Sequence, residues 1–296
     1  MTDVGPDVQT PAALTAALRE HAYLADRGLA TALHLALRLG RPLLLEGDAG
    51  VGKTEAAKAL AAVRGAELIR LQCHEGIDRA QALYAWDHPR QLLHLRALEA
   101  SGERPADHES ELYDERFLLA RPLLQALRLG DRAVLLVDEI DRADDEFEAF
   151  LLELLSDAQV SIPELGTIRA PSPPVVIVTS NRTRELSDAV KRRCLYHWID
   201  HPDLERETAI VRLRAPQVPA ALAARVAGLV GRLRTLDLHK PPGVAETIDW
   251  ARALHGEAEG GDAVARDRVA DTLGVVVKDR DDLDVVREAL DEVLGA

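Results

Sequence analysis

The stretch that most restricts this chain is Gly47-Asp48-Ala49-Gly50-Val51-Gly52-Lys53-Thr54. It fits the spacing G-x-x-x-x-G-K-[ST]. A phosphate is held by several N–H donors converging on one point. A backbone converges so tightly only where glycine permits the curl. The helix expected next adds an N-terminal dipole that favours anions. In such a loop Lys53 would neutralise the β- and γ-phosphates of ATP, and the Thr54 hydroxyl would ligate a magnesium ion, Mg2+. The pattern demands a buried strand before it and a helix after it. Pro42-Leu43-Leu44-Leu45-Glu46 reads as the strand, and TEAAKALAAV from Thr54 as the helix.

A second apolar run, Val134-Leu135-Leu136-Val137, ends in Asp138-Glu139-Ile140-Asp141. In open α/β sheets ligands gather at the carboxyl ends of strands. Asp138 would hold the metal largely through its water shell, since Mg2+ prefers oxygen ligands and keeps several waters. Glu139 would orient and polarise an attacking water. Two carboxylates beside a triphosphate repel it unless a cation is present, so the pair and the metal imply each other.

The flanking sequence supplies further elements. Residues 12–39 carry Leu and Ala at helical spacing up to Gly40, and residues 67–71 read as a strand. Residues 78–99 look helical with a break at Asp87-His88-Pro89, residues 101–111 read as a surface loop, and Phe117–Leu129 as a helix. Asp145–Asp157 is an amphipathic helix, and Val160–Ala170 alternates around Gly166 as a hairpin does. Val175–Thr179 and Cys194–Ile199 read as the last strands. Beyond about residue 203 only helical patterns remain. The expectation is an α/β nucleotide-binding core over residues 1–203 and an all-helical domain over 204–296.

Apolar residues make up 47% of the chain and aromatics 3%, so the core must be aliphatic. The net charge of −14 argues against nonspecific nucleic-acid binding, which draws its affinity from a basic face. Residues 1–10 lack a basic start and an apolar run, and no apolar run is long enough to span a membrane. The two cysteines are far apart and form no disulfide framework. A cytoplasmic protein without a membrane span is expected.

GDAGVGKT, LLVDEID, Thr179-Ser180-Asn181 after a strand, and Lys191-Arg192-Arg193 resemble AAA+ ATPases. LLLEGDAGVGKT, HEGIDRAQALYAWDHPRQLL and KRRCLYHWIDHP resemble more narrowly the MoxR branch, closest to the ATPases that accompany carbon monoxide dehydrogenase maturation. The resemblance covers most of residues 25–215. It implies a five-stranded parallel sheet of order 5-1-4-3-2, a helical lid, a homo-oligomeric ring that is usually hexameric, and insertions near 72–90 and 160–172. It implies that Asn181 senses the γ-phosphate or the attacking water. Arg193, with Arg192 beside it, would serve as an arginine finger in the neighbouring subunit's site. Many relatives carry a second sensing arginine at the start of a lid helix. The corresponding stretch here, Lys240 to Thr247, has none, which leaves Lys240 as the only cation there.

The implied function is an ATP-hydrolysing remodelling chaperone. Its client would be a metalloenzyme of the molybdenum hydroxylase type under maturation, with a von Willebrand factor A-domain protein as a further partner. A DNA motor or loader, a small-molecule kinase and a nucleotide-gated binding module are the alternatives. Cys194, His197 and His201 could suggest a metal and Cys73-His74-Glu75 a thiol nucleophile. On a strand, however, Cys194 and His197 point to opposite faces, and no base is identifiable to support Cys73. Asp144-Asp145-Glu146 reads as a helix start.

Overall fold

The structure is a computed structural model that describes residues 9–102, 104–256 and 264–295, apart from the side chains of 105–107. Residues 1–8, on which the reading of no leader largely rests, lie outside it, as does residue 103 of the expected surface loop. By its own contacts the chain forms two compact units. One comprises the described residues up to Ala17, then Arg27–Glu46 and Ala57–His197. The other comprises Leu18–Asp26, Gly47–Ala56 and the chain from Trp198 onward.

The first unit is built on a sheet. Its strands are β1 (Leu43–Gly47), β2 (Glu67–Gln72), β5 (Ala133–Asp138), β8 (Val175–Ser180) and β9 (Leu195–Ile199). Between them lie two short antiparallel pairs, β3 (Tyr84–Trp86) with β4 (Leu118–Ala120), and β6 (Gln159–Ile162) with β7 (Gly166–Arg169). The five-stranded parallel sheet has the order β2-β5-β8-β1-β9. Read from its other edge, that is the order 5-1-4-3-2 expected for the core strands. β1 and β5 are buried at every position, as continuous Leu/Val runs must be when both faces of a parallel sheet are covered. Register sets Gln72 opposite Asp138 and Glu46 opposite Ser180, so the polar strand ends fall on one edge of the sheet.

Helices cover the sheet. In chain order they are α1 (Pro11–Glu20), α2 (Arg27–Leu39), α3 (Lys53–Arg64), α4 (Arg79–Ala82), α5 (His88–Ser101), α6 (Pro122–Leu129), α7 (Asp145–Asp157) and α8 (Asp188–Arg193). The α2 helix buries Leu29, Ala30, Leu33, Ala36 and Leu37, a stripe at helical spacing. At the head of α7, Asp144 accepts from the Phe147 N–H at 2.8 Å and three acids occupy the first turn, which satisfies donors and dipole together.

Four local expectations need correction. The 12–39 helix is two helices. Ala22 adopts a left-handed φ of 56° and the Tyr23 N–H returns to Leu18 O, which ends α1 as a C-cap does. Residues 78–99 hold a strand between two helices, and the Phe117–Leu129 helix starts only at Pro122. In both places a three-residue strand forms because each pairs with the other, a partner far away in sequence. The polar 101–111 segment contains 3₁₀ structure over Pro105–Tyr113.

The second unit holds α9 (Leu204–Arg214), α10 (Ala220–Leu233), α11 (Val244–Gly256), α12 (Arg266–Val276), α13 (Arg280–Glu288) and α14 (Leu290–Leu294). They close on a separate core that includes Val226, Val230, Leu254 and the fully buried Trp250, whose indole N–H donates to Thr272 at 2.8 Å.

Candidate functional site

The phosphate-loop pattern folds as a curl after β1 and opens directly into α3. Gly47 is required sterically, because a Cβ there would stand 2.3 Å from Ile199 O. Lys53 is buried, and its ammonium donates to Gly47 O and Asp48 O, both at 2.7 Å. Asp48, Ala49 and Gly50 face outward, while Val51 is buried under the loop. Thr54 sits in the first turn of α3, half-buried.

Beside this loop, within the same unit, lies an apolar cavity of about 200 Å³. Tyr23, Leu24, Ile199, Ile210, Val244 and Ile248 form most of its apolar wall. Two ion pairs frame it. Arg206 donates to Asp26 Oδ2 and Leu24 O, each at 2.8 Å, and Arg214 meets Glu55 at 3.2 Å. Burial pushes the Tyr23 phenol well above its ordinary range, against the pull of the Arg206 charge, so it stays neutral. An apolar cavity next to a glycine-curled loop suits an apolar ring. None of these wall residues was given a site role from sequence. Tyr23 lay hidden inside what reads as one long helix.

The acid pair is organised in the first unit. Asp138 is buried at the end of β5. Its Oδ1 accepts from the Thr179 hydroxyl at 2.6 Å, and its Oδ2 accepts from Arg70 Nη2 at 2.6 Å and Nε at 2.9 Å. Glu139 holds a left-handed backbone, φ 55° and ψ 51°, which costs a non-glycine residue about 1–3 kcal/mol and clusters at functional positions. Three side chains reach its carboxylate: Gln72 at 3.0 Å, Arg142 at 2.9 Å and Asn181 at 3.4 Å. The structure therefore brings Asp138, Glu139 and Asn181 together.

Asp141, the third acid of the run, places Asn181. Its Oδ1 accepts from the Asn181 N–H at 3.2 Å, and its Oδ2 accepts from the Thr183 N–H and hydroxyl at 2.9 and 2.6 Å. Burial pushes this carboxyl up, but the Thr183 and Asn181 bonds outweigh it and hold the group below its usual range. Asp141 stays ionised and the backbone after β8 stays fixed.

Arg192 and Arg193 are exposed at the end of α8. Arg193 bonds Ser156 through Nε. Arg41, which sequence reasoning passed over, caps this helix: its Nη2 donates to Arg192 O at 2.8 Å and Arg193 O at 3.1 Å. Lys240 points to Asp279 at 3.0 Å. Both thiols are buried, and burial raises Cys73 and Cys194 to about 12, far from the thiolate a nucleophile requires.

The chemistry of each unit's donor fits magnesium: the Asp138 carboxylate in the first and the Thr54 hydroxyl in the second are hard oxygen donors. The parallel sheet, the glycine-curled loop after β1 and the acid pair after β5 define an α/β P-loop protein of nucleotide-binding type. Residues 42–194 match the AAA domain of the dynein-related subfamily, and the chain belongs to that family. It is 26% identical over 215 residues to the denitrification regulatory protein NirQ of Stutzerimonas stutzeri, covering 70% of this chain and 69% of that one. In fold it is similar to the Thermotoga maritima RuvB P216G mutant, with a TM-score of 0.53 and 17% identity over 91% of this chain and 77% of that one. The T. maritima RuvB Holliday junction branch migration motor gives a TM-score of 0.51 at 16% identity, over 97% and 80% of the two chains. Among the described residues no helix is long and apolar enough to cross a membrane.

Proposed function

We propose that this protein binds Mg2+·ATP and hydrolyses it to ADP and phosphate. The observation that carries the reading is the cluster at the ends of β5 and β8, where Asn181, Gln72 and Arg142 converge on the Glu139 carboxylate. The loop N–H groups and Lys53 bind the β- and γ-phosphates, and the cavity with Tyr23 and Ile248 takes the base. Thr54 and Asp138 would each offer a hard oxygen to the magnesium ion, which when bound would neutralise charge on the transferring phosphoryl group. Glu139 accepts a proton from the attacking water as its oxygen bonds to the γ-phosphorus and the bond to the ADP oxygen breaks. Asn181 orients that water. Arg193, with Arg192 beside it, is supplied to a neighbouring subunit of a ring, where a guanidinium spreads the developing charge.

In this reading residues 1–203 act as the nucleotide-binding core and 204–296 as a helical lid. Belonging to the MoxR branch, a hexameric ring and a cytoplasmic location are parts of the same proposal. So is remodelling of a client, a metalloenzyme of the molybdenum hydroxylase type, with a von Willebrand factor A-domain partner. The net charge of −14 supports action on proteins over action on DNA. The test is phosphate release from Mg2+·ATP without added acceptor, measured against protein concentration. A specific activity that rises with concentration supports a self-assembling ATPase. Release that requires a small-molecule acceptor points to a kinase, and no release at any concentration overturns turnover.

A further inference from the structure

Within the second unit, the turn before α11 touches the phosphate loop backbone to backbone. A Cβ on Gly243 would stand 2.6 Å from Gly50 Cα and 3.0 Å from Gly50 C, distances real side chains do not occupy unless the backbone shifts. The Val244 N–H donates to Gly50 O at 2.9 Å. Gly50 is the middle glycine of the loop, at φ +79°. The contact falls in the stretch where relatives are expected to place a sensing arginine.

A buried polar frame holds Gly243 in place. Glu207, 1% exposed, receives Arg234 Nη1 at 2.6 Å and Nη2 at 2.8 Å, and the Thr247 hydroxyl at 2.6 Å. The same Arg234 donates through Nε to Pro242 O at 2.8 Å, and the Thr247 N–H donates to Gly243 O at 3.2 Å. Apolar residues could stabilise a helical core as well or better than a buried ion pair. Here Arg234 instead bonds the main chain before the glycine, at Pro242 O, and Thr247, held by Glu207, bonds Gly243 O. That is the signature of positioning.

We propose that Glu207, Arg234 and Thr247 form a positioning frame that fixes the curl of the phosphate loop through the Gly243–Gly50 contact. The start of α11 then reads loop occupancy through main-chain packing, in place of a sensing arginine. The inference rests on the reading of the loop as a phosphate site. Its consequence is reciprocal: whatever displaces Gly243 weakens nucleotide binding, and nucleotide binding stabilises α11 by the same factor.

Gly243→Ala is the test, because Gly243 itself lies outside the left-handed region and the fixed obstacle to a Cβ is the Gly50 backbone, Glu246 Oε2 at 2.9 Å being the far end of a flexible side chain. Binding of the fluorescent analogue mant-ADP with magnesium is expected to weaken about tenfold, within the usual range of coupling between sites. Gly274→Ala, where a Cβ meets nothing within 4 Å, should bind as wild type does. Wild-type affinity in Gly243→Ala would overturn the proposal. If that variant does not fold, Thr247→Val and Thr247→Ser decide. The serine should bind close to wild type and the valine several-fold more weakly, with equal affinities counting against the frame. Wild-type protein that binds no mant-ADP would instead reject the phosphate site itself.

Discussion

The Thr179 hydroxyl donates to Asp138 Oδ1 at 2.6 Å while its oxygen accepts the Glu139 N–H at 2.9 Å. One buried hydroxyl on β8 thus fixes both acids at the end of β5. Thr179→Val keeps the shape and removes both bonds. A buried group left without its partner costs about 1–3 kcal/mol, which as a barrier term is roughly a tenfold to hundredfold loss of turnover. Steady-state kinetics should show the loss in kcat, with ADP affinity within a few-fold of wild type.

Glu139→Gln keeps size and the Asn181 contact but no longer accepts a proton. Turnover is expected to fall by about 10²–10⁴, the usual contribution of a positioned base, while ATP binding persists. Measured by phosphate release and by equilibrium binding, unchanged turnover would remove Glu139 from the role of base. The same variant held with ATP is the form in which to capture a client.

Ile248→Glu places a carboxylate in the wall of the apolar cavity. Burying a base against it would leave the charge without water, so ADP affinity should drop about tenfold or more. Because Ile248 is only partly buried, thermal unfolding without nucleotide should change little. Affinity equal to wild type would show that the base sits elsewhere.

His201 gives a pH prediction with a definite sign. Burial, then the Arg234 charge, lower its pKa below the ordinary 6.5, with Asp48 opposing. The folded chain therefore keeps this ring neutral where the unfolded chain protonates it. Below pH 6.5 the unfolded state binds the extra proton, so this contribution to stability is present at pH 7 and is lost as pH falls from 6.5 toward the folded value. Denaturant unfolding of wild type and His201→Gln between pH 7.5 and 5 should give curves that converge on acidification. Parallel curves would refute the assignment.

The loop and the acid pair were legible because their chemistry is written in adjacent residues. Gly47 to Thr54 and Asp138-Glu139 each need only a short stretch of chain to be recognised, and the surrounding apolar runs announce buried strands. The strand order followed from the resemblance those motifs carry. Arg41 gave no such signal, and Thr179 stood out only as part of a motif, without its bridging role. Their roles depend on partners more than a hundred and about forty positions away, respectively, brought near by sheet register. β3 and β4 were missed for the same reason, since each has a strand's shape only because the other pairs with it.

The sequence by itself determined where phosphate-binding and carboxylate chemistry could lie, because glycine torsions, a lysine and paired acids act within a few bonds of one another. Only the tertiary structure decided what holds those groups at their distances. The Thr179 bridge between Asp138 and Glu139 and the seat of Gly243 on Gly50 are contacts between remote segments. Contacts of that kind are set by packing in three dimensions, which no local spacing encodes.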